Sequence, residues 1–486
     1  MHAYTSFMPI SPARKIAFDV LLQVASQGAY ASELLYARLG PQFARADAAL
    51  ATELTLGVLR WQRLLDFLLQ RYLDRPLGRL DLEVVLALRL GLYQLRLLAR
   101  VPAHAAVGES VELVKRARKH SAGPLVNAVL RRAAPDAKAS EEELAELLPA
   151  GASSPERAGI LHSHPTWLVE RWMSTFGSER TLALLRANNQ PPHLSFALLN
   201  PRDSAAVAES LSQDSLFTSP GRWLRSALTL SGGNPTAAKA FQSGEISIQD
   251  EASQMVAHLV DARPGDSVLD LCAAPGGKTL LLARAVTPAG HVTAADLHEQ
   301  RLRSVREQLT RTATPNVELL ALDATQPLPF RRPFDRILVD APCSGTGTLG
   351  RNPEIRWRLE AGDLALAHHR QTAMLRQAIS LMAPGGRLVY ATCSLEPEEN
   401  EQVVAEILAA EAGVRVVSGR PALEPLLREG SSTAALFNRT EQLEFFRTFP
   451  PETQTDGFFA AVLERRKERK QAVARCFTLK RLAGAC

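Results

Sequence analysis

The residues with the clearest chemical potential follow five short apolar runs in the second half of the chain. Helical patterns alternate with these runs, which predicts a parallel, doubly wound α/β sheet. Ligands of such sheets bind beyond the carboxyl ends of the strands. We therefore expect one site at that edge, with three carboxylates and two thiols. In chain order, the runs end at the turn of residues 273–277, at Asp296, at Asp323, at Asp340-Ala341-Pro342-Cys343 and at Thr392-Cys393.

The first run opens the stretch SVLDLCAAPGGKT, residues 267–279, which is typical of a strand, a tight turn and a helix start. Small residues let the backbone approach a ligand, and the amide N–H groups of a helix N-terminus point at it. The spacing is neither that of a GxxxxGK[ST] phosphate loop nor that of GxGxxG. An ordinary strand-to-helix turn is the alternative, but the carboxylates that follow favour a cradle for a nucleoside cofactor.

Two of the carboxylates suit a bound nucleoside. Asp296 lies 20 residues beyond Gly276, the spacing at which an acidic residue accepts hydrogen bonds from ribose hydroxyls. Asp323 follows the third run and could accept a hydrogen bond from an adenine amino group. The alternative for both is a helix N-cap, a common role of aspartate at a strand-to-helix corner. We expect the cofactor role for both.

Cys343 and Cys393 are the candidates for covalent chemistry. A free cysteine is more often a small buried residue than a nucleophile. Two thiols beyond adjacent strands and beside a cofactor cradle nevertheless favour the second role. A thiolate suits conjugate addition to C6 of a pyrimidine, which makes C5 electron-rich enough to attack a methyl sulfonium.

The remaining carboxylate of this region completes the hypothesis. Asp340 can hydrogen-bond N3 or the exocyclic amine and stabilise charge on the ring. After transfer, the C5 proton must leave and the thiolate must be expelled, and a second thiol can assist that step. The residues therefore fit cytosine C5 methylation, without showing which thiol has which role.

The charge distribution favours a nucleic-acid partner. The net charge is +5; residues 1–132 hold 18 Lys and Arg against 10 Asp and Glu, and residues 464–486 hold 8 against 2. The five cysteines are widely spaced and form no CxxC, so neither a metal site nor a disulfide framework is expected. No signal peptide or membrane span is recognisable, so we expect a cytoplasmic protein with no membrane partner.

The length of 486 residues predicts several domains. Residues 1–135 carry amphipathic patterns that predict helices at 13–25, 47–59, 64–72, 82–97 and 107–119, typical of an all-α bundle. The expected divisions after it are a linker at 136–156, a small α+β domain at 157–243, a catalytic domain at 244–465 and a basic tail at 466–486. His162 and His164 have no third metal-ligating neighbour, which favours a surface turn there.

Five motifs together resemble the RNA cytosine-5 methyltransferases of the Fmu/Sun/RsmB type: DLCAAPGGKT, AADLHEQRL, DAPCSGTG, RNPEIRW and YATCSLEPEEN. The combination of DAPCSGTG with TCS is the most specific part. The N-terminal helices resemble the NusB-like RNA-binding domain of that family, and FPPETQTDGFFAAVLER resembles its closing strand pair. The resemblance spans nearly the whole chain. It implies a Rossmann-like class I methyltransferase domain, preceded by a NusB-like bundle and a small α+β domain.

The family implies S-adenosylmethionine as the methyl donor and no metal. By resemblance, Cys393 is the attacking nucleophile, Cys343 helps to release the product, and Asp340 is also catalytic. DNA cytosine-5 methyltransferases attack with a Pro-Cys like Pro342-Cys343, so the reversed assignment is the alternative. The cofactor-binding residues implied are Cys272, Ala273, Ala274, Pro275, Gly276, Gly277, Lys278, Asp296, Arg301, Asp323 and Asp340.

Within the family, the domain arrangement resembles the bacterial members that methylate cytosine 967 of 16S ribosomal RNA, so 16S rRNA is the expected partner. The alternatives are another rRNA or tRNA site, or an RNA-binding ribosome-assembly factor without turnover. The intact thiols and Asp340 argue against the latter. A monomer is expected. The acidic linker and the basic tail have no family counterpart. Lys467, Arg469 and Lys470 of the tail could contact RNA phosphates, but a disordered tail is the favoured expectation.

Overall fold

The computed structural model describes residues 10–40, 43–200, 204–230, 233–440 and 442–466, so most of the predicted basic tail lies outside the described residues. The described chain begins with a helical bundle, and the predicted all-α fold is confirmed. Apolar residues three and four positions apart form a buried stripe on each helix. The bundle helices are α1 (Pro12–Gln27), α2 (Ala31–Arg38), α3 (Arg45–Arg60), α4 (Gln62–Gln70), α5 (Leu82–Leu97), α6 (Ala103–Arg116) and α7 (Gly123–Ala133).

Two short helices, α8 (Glu141–Glu146) and α9 (Ser154–Leu161), lie at or beside the predicted linker. The Ser140 hydroxyl accepts a hydrogen bond from the Glu143 backbone N–H, and the Glu143 carboxylate accepts one from the Ser140 backbone N–H. This capping box begins α8, and Leu144 packs into the core of the bundle. The stretch is therefore anchored to the bundle.

The prediction of a surface turn at His162 and His164 is wrong, because both side chains are buried. Helices α10 (Thr166–Phe176) and α11 (Ser178–Asn188) cover this turn. The His164 ring packs edge-on against Trp172 of α10, and its Nε2 lies 3.3 Å from the side-chain nitrogen of Asn188 in α11. Burial holds the pKa of His164 well below its usual value, so this histidine is a neutral packing residue.

A small α+β region follows, with a four-stranded antiparallel sheet in the order β2-β3-β1-β4. Its apolar face includes Phe196 and Ile246, both fully buried. The elements are β1 (Leu194–Leu198), α12 (Ser204–Gln213), β2 (Thr218–Pro220), β3 (Ala227–Leu230), α13 (Lys239–Gln242) and β4 (Ile246–Ile248).

The last region contains a nine-stranded mixed sheet with the path β11-β12-β13-β9-β8-β5-β6-β7, and β10 pairs with β13. The strands β9, β8, β5, β6 and β7 are parallel, which confirms the predicted α/β fold. The antiparallel strands β10 to β13 extend one edge. The strands are β5 (Ser267–Asp270), β6 (His291–Asp296), β7 (Val317–Ala321), β8 (Phe334–Asp340), β9 (Met382–Thr392), β10 (Val414–Val417), β11 (Phe437–Thr440), β12 (Leu443–Thr448) and β13 (Phe458–Arg465).

Helices cover both faces of this sheet. Apolar residues of α14 and α15 form one buried cluster with it, and those of α18 and α19 form another. The chain runs outward from β5 to β7 and then crosses back to β8, so the strand order reverses between β5 and β8, where ligands of such sheets bind. The helices are α14 (Glu251–Leu259), α15 (Gly277–Ala285), α16 (Glu299–Arg311), α17 (Ile355–Arg358), α18 (Asp363–Ser380), α19 (Glu401–Ala410), α20 (Arg420–Leu423) and α21 (Pro450–Thr453).

One buried arginine, Arg356 of α17, joins the helical bundle to the segment that follows the bundle and to the loop after β8. Its side chain is fully buried, and burial lowers its pKa to about 9. Its guanidinium satisfies oxygens that belong to different parts of the chain. It donates to the carbonyl oxygens of Arg60, Ser163, Asn188 and Leu349 and to Oδ1 of Asn189.

Neighbours of Arg356 extend this joint. The indole N–H of Trp357 donates to the Leu59 carbonyl at 2.7 Å, and a Glu354 carboxylate oxygen accepts from the Ala31 backbone N–H at 2.9 Å. The motif RNPEIRW therefore packs against the ends of bundle helices. Because that motif begins eight residues after Cys343, the bundle is attached to the loop that carries this thiol.

We expect Arg356→Ala to lower the free energy of unfolding by about 3 kcal/mol or more, because several buried carbonyl oxygens lose their donor at once. Urea denaturation followed by circular dichroism measures this change. Arg263→Ala is the control, since Arg263 makes a solvent-exposed pair with Asp261 and should change stability much less. Equal effects of the two substitutions would contradict the role assigned to Arg356.

Candidate active site

The turn after β5 forms a cradle at the edge of the sheet. Gly276, the residue before α15, has φ +108°, in the region that favours glycine, and a Cβ there would lie 3.3 Å from the Val305 backbone. The backbone N–H groups of the first turn of α15 come directly after Gly276. The Gln308 side chain donates to the Pro275 carbonyl at 2.8 Å and fixes the outer part of the turn. The cradle thus presents backbone donors where the strand order reverses.

Asp296, at the end of β6, contacts this cradle. Its carboxylate is buried, and it accepts hydrogen bonds from the backbone N–H groups of His298 at 3.1 Å and Ala274 at 3.4 Å. Arg301 lies 3.4 Å from the same carboxylate and donates to the Ala274 carbonyl at 3.3 Å. The structure thus brings together Asp296, Arg301 and the glycine turn.

Asp323 lies at the same edge, two residues beyond β7, and its side chain is exposed. Its Oδ1 accepts from the Thr325 backbone N–H at 2.9 Å and from the Thr325 hydroxyl at 2.7 Å. These bonds hold the pKa of Asp323 below its usual value. Asp323 therefore caps a turn, and no helix lies in the described chain between it and β8, so it is not a helix N-cap. A cofactor role for Asp323 stays a prediction.

Lys278 of α15 and Asp340 at the end of β8 form a partly buried ion pair, with Nζ and Oδ2 2.6 Å apart. Burial lowers the pKa of Lys278, but Asp340 and the negative charges of Cys393 and Asp270 together raise it above its usual value. The ammonium also lies 5.0 Å from the centre of the Phe458 ring. A positive charge is therefore fixed within electrostatic reach of Cys393.

The sulfur atoms of Cys343 and Cys393 lie 3.3 Å apart, and both residues are partly buried. The parallel pairing of β8 with β9 brings them together, because Asp340 pairs with Ala391 at the carboxyl ends of these strands. A further bond, from the Gly347 backbone N–H to the Cys393 carbonyl at 2.9 Å, joins the two loops.

The electrostatic surroundings of the two thiols differ. The hydrogen bond to Cys393, burial, and the negative charges of Cys393 and Glu399 raise the pKa of Cys343 well above its usual value. The third thiol of the region, Cys272, is excluded as a nucleophile at neutral pH, because burial and nearby carboxylates raise its pKa well above the usual value.

Sequence reasoning missed two buried carboxylates. Glu399 is fully buried beside the thiol loops. Asp270, at the end of β5, accepts from the Thr279 hydroxyl at 2.7 Å, while its second oxygen is buried without a hydrogen-bond partner. Burial raises the pKa of Asp270 to about 7. Both lie in the quoted motifs, but no pattern in the sequence indicates that they are enclosed.

The cradle fits a nucleoside cofactor for four reasons. Its glycine turn would be obstructed by a side chain, and a helix N-terminus follows it. The carboxylate of Asp296 is buried beside it, and one buried oxygen of Asp270 has no hydrogen-bond partner. Among the described residues, no group of three or more His, Cys, Asp and Glu side chains could hold a metal ion. No helix within the described ranges is long and apolar enough to cross a membrane.

Comparisons with known proteins agree with this architecture. Residues 257–464 match the family model of the 16S rRNA methyltransferase RsmB/F, residues 11–135 match the NusB family, and residues 164–237 match the ferredoxin-like domain of RsmF/B-like methyltransferases. The chain is 35% identical over 403 residues to a probable ribosomal RNA small subunit methyltransferase B of Synechocystis, covering 82% of this chain and 89% of the relative.

The chain belongs to the ribosomal RNA small subunit methyltransferase B family.

One further relative agrees with that membership, and one solved structure shares the fold. The member from Pseudomonas putida is 36% identical over 374 residues, covering 76% of this chain and 83% of the relative. The crystal structure of PH0851 shares the fold, with a TM-score of 0.76 and 24% identity, and covers 94% of this chain and 99% of its own. The family membership confirms the expected class, an RNA methyltransferase that uses S-adenosylmethionine. The domain boundaries and the roles of single residues stay predictions.

The raised pKa of Asp270 gives this family member a testable pH dependence. Between pH 4 and 7 the native carboxyl holds a proton that the unfolded chain has lost, so the free energy of unfolding falls with rising pH by about 1.4 kcal/mol per unit. In Asp270→Asn this contribution is absent. We therefore expect the variant to gain stability relative to the parent as pH rises from 4 to 8, measured by urea denaturation.

The matched control is Asp363→Asn, which alters an exposed carboxylate at the start of α18. The prediction is contradicted if the difference in the free energy of unfolding between Asp270→Asn and the parent stays constant across this pH range, because a raised pKa of Asp270 requires that difference to change.

Proposed function

We propose that this chain transfers a methyl group from S-adenosylmethionine to C5 of a cytosine in 16S ribosomal RNA, through a covalent bond between Cys393 and C6 of the base. The single observation that carries the proposal is the pair of sulfur atoms 3.3 Å apart, directly beside the Lys278–Asp340 ion pair. A chain that only binds RNA has no need of two adjacent thiols at the edge of a cofactor cradle.

The cofactor site of the proposal comprises the turn of residues 272–278 with Asp296, Arg301, Asp323 and Asp340. The hydrogen-bonded contact among Asp296, Arg301 and the turn supports it. When bound, S-adenosylmethionine supplies an electrophilic methyl group. The chain's own contribution is to bind and orient, with donors from the backbone of the turn and acceptors from the carboxylates at the strand ends.

In the proposed reaction, the Cys393 thiolate forms a bond to C6, and the C5–C6 double bond becomes a nucleophile at C5. Once C5 carries the methyl group, the C5 proton passes to a base, the electron pair of the C5–H bond re-forms the double bond, and the bond between C6 and the Cys393 sulfur breaks to release the thiolate. Cys343 assists this last step. Two observations support these roles: Lys278 provides positive charge near Cys393, and the Cys343 sulfur lies 3.3 Å from the Cys393 sulfur.

Asp340 has a separate part in this scheme. The ion pair with Lys278 is made by the carboxylate form, with Asp340 Oδ2 as the acceptor. A carboxylate beside the thiols can accept a hydrogen bond from the exocyclic amine of cytosine, which orients the ring and distinguishes cytosine from uracil.

The proposed RNA substrate is 16S rRNA at cytosine 967, the site methylated by the family members whose domain arrangement this chain resembles. The names of the relatives, ribosomal RNA small subunit methyltransferase B, support the choice of RNA. Two of the basic side chains at the end of α6 are paired within the bundle: Arg116 pairs with Asp19, and Lys119 pairs with Asp81. Part of the positive charge there is therefore neutralised within the protein, which weakens the support that it gives to RNA binding.

We expect Cys343→Ala to leave an RNA–protein adduct that survives denaturation, because C6 is attacked but release is impaired. Cys393→Ala should give neither adduct nor product, with methylation lowered by at least about a thousandfold. Denaturing electrophoresis with labelled 16S rRNA and transfer of a labelled methyl group measure the two quantities. The opposite pattern would exchange the roles of the two thiols.

Bisulfite sequencing of rRNA from a strain that lacks the gene tests the site. A loss of methylation confined to cytosine 967, restored by the parent gene and not by Cys393→Ala, is the expected result. A loss at another position would identify another rRNA target. Unchanged methylation throughout the rRNA would favour the assembly-factor alternative.

A further inference from the structure

Glu399 connects the two loops that carry the thiols. Its side chain is fully buried. One carboxylate oxygen accepts from the Ser344 backbone N–H at 2.8 Å and from the Gln371 side chain at 3.0 Å, and the other accepts from the hydroxyls of Ser344 and Ser394. Ser344 directly follows Cys343, and Ser394 directly follows Cys393. A single carboxylate therefore binds the residue next to each thiol.

The strands by themselves do not set the distance between the sulfur atoms. The pairing of β8 with β9 ends at Asp340 and Ala391, and Cys343 lies three residues beyond the end of β8. Beyond the last pair, the two loops are free to separate unless other contacts hold them. Hydrogen bonds to a charged acceptor are stronger than those between neutral groups, so the Glu399 carboxylate is well suited to hold them.

Glu399 is itself fixed in place. The Tyr390 hydroxyl donates to the Glu399 carbonyl at 2.6 Å, and the Thr392 hydroxyl donates to the Asn400 side chain at 2.6 Å. Both donors lie on β9. The position of the carboxylate thus follows from β9, the strand that ends directly before Cys393.

We propose that Glu399 is a positioning residue that sets the separation of the Cys343 and Cys393 sulfur atoms. Glu399 need not touch the base, because it acts through Ser344 and Ser394. A role of Glu399 in catalysis rests on the proposed function. The effect of Glu399 on the distance between the thiols is independent of that function and can be tested without RNA.

The test is the rate at which diamide links Cys343 to Cys393 in the full-length protein. The two thiols lose two hydrogen atoms, which reduce diamide to its hydrazine, and one S–S bond forms. Peptide mass spectrometry quantifies this link separately from any that involve the other cysteines. We expect Glu399→Ala to slow the link by about tenfold or more, because at least one charge-assisted hydrogen bond to each loop is lost.

Two substitutions provide controls. Glu399→Gln keeps one acceptor oxygen and can donate to the serine hydroxyls, but it also removes a negative charge near Cys343. The rates of all variants are therefore compared over a range of pH, so that a change in thiolate fraction is separated from a change in distance. At equal thiolate fraction, Glu399→Gln should link at a rate close to that of the parent. Glu398→Gln alters the neighbouring carboxylate, which pairs with Arg171 and not with the thiol loops, and should leave the rate unchanged.

Circular dichroism establishes which variants are folded. If Glu399→Ala does not fold, Ser394→Ala is the variant that tests the proposal, because it removes one of the hydroxyls that bind the Glu399 carboxylate. We expect Ser394→Ala to form the disulfide link more slowly than the parent. A parental rate in folded Glu399→Ala, or in Ser394→Ala, overturns the proposal. A parent that links rapidly but methylates no RNA would instead refute the proposed function and leave the role of Glu399 intact.

Discussion

The parallel pairing of β8 with β9 is the interaction on which the rest of this structure depends. Neighbouring parallel strands end at the same edge, so the residues that follow them, Cys343 and Cys393, are delivered to one place from positions 50 residues apart in the chain. The cofactor cradle after β5 adjoins β8 for the same reason. One sheet edge thus holds the turn, the ion pair and the thiols.

The charges around the thiol pair are unequal. Lys278 holds positive charge within electrostatic reach of Cys393, whereas Glu399 adds negative charge near Cys343. Proximity alone would leave the two sulfur atoms equivalent. The proposed division of roles between the two thiols rests on this difference.

The helical bundle is part of the same assembly. Arg356 is buried among oxygens from the bundle, from the segment that follows it and from the catalytic region, and Trp357 and Glu354 add direct bonds to helix ends. These residues closely follow the loop of Cys343. Sequence patterns suggest separate units joined by an acidic linker, whereas the hydrogen bonds join bundle and thiol loop into one body.

The sequence by itself determined the kind of elements, the strand-end positions of Asp296, Asp340, Cys343 and Cys393, and the family, because periodicity and motif spacing are local properties. It could not determine which charges are enclosed. Glu399 and Asp270 look like ordinary acidic residues, and His162 and His164 look like a surface turn. Burial, pairing and shifted pKa values arise only when distant segments pack together. Tertiary structure alone therefore decided that the surroundings of the two thiols differ and that their sulfur atoms lie 3.3 Å apart.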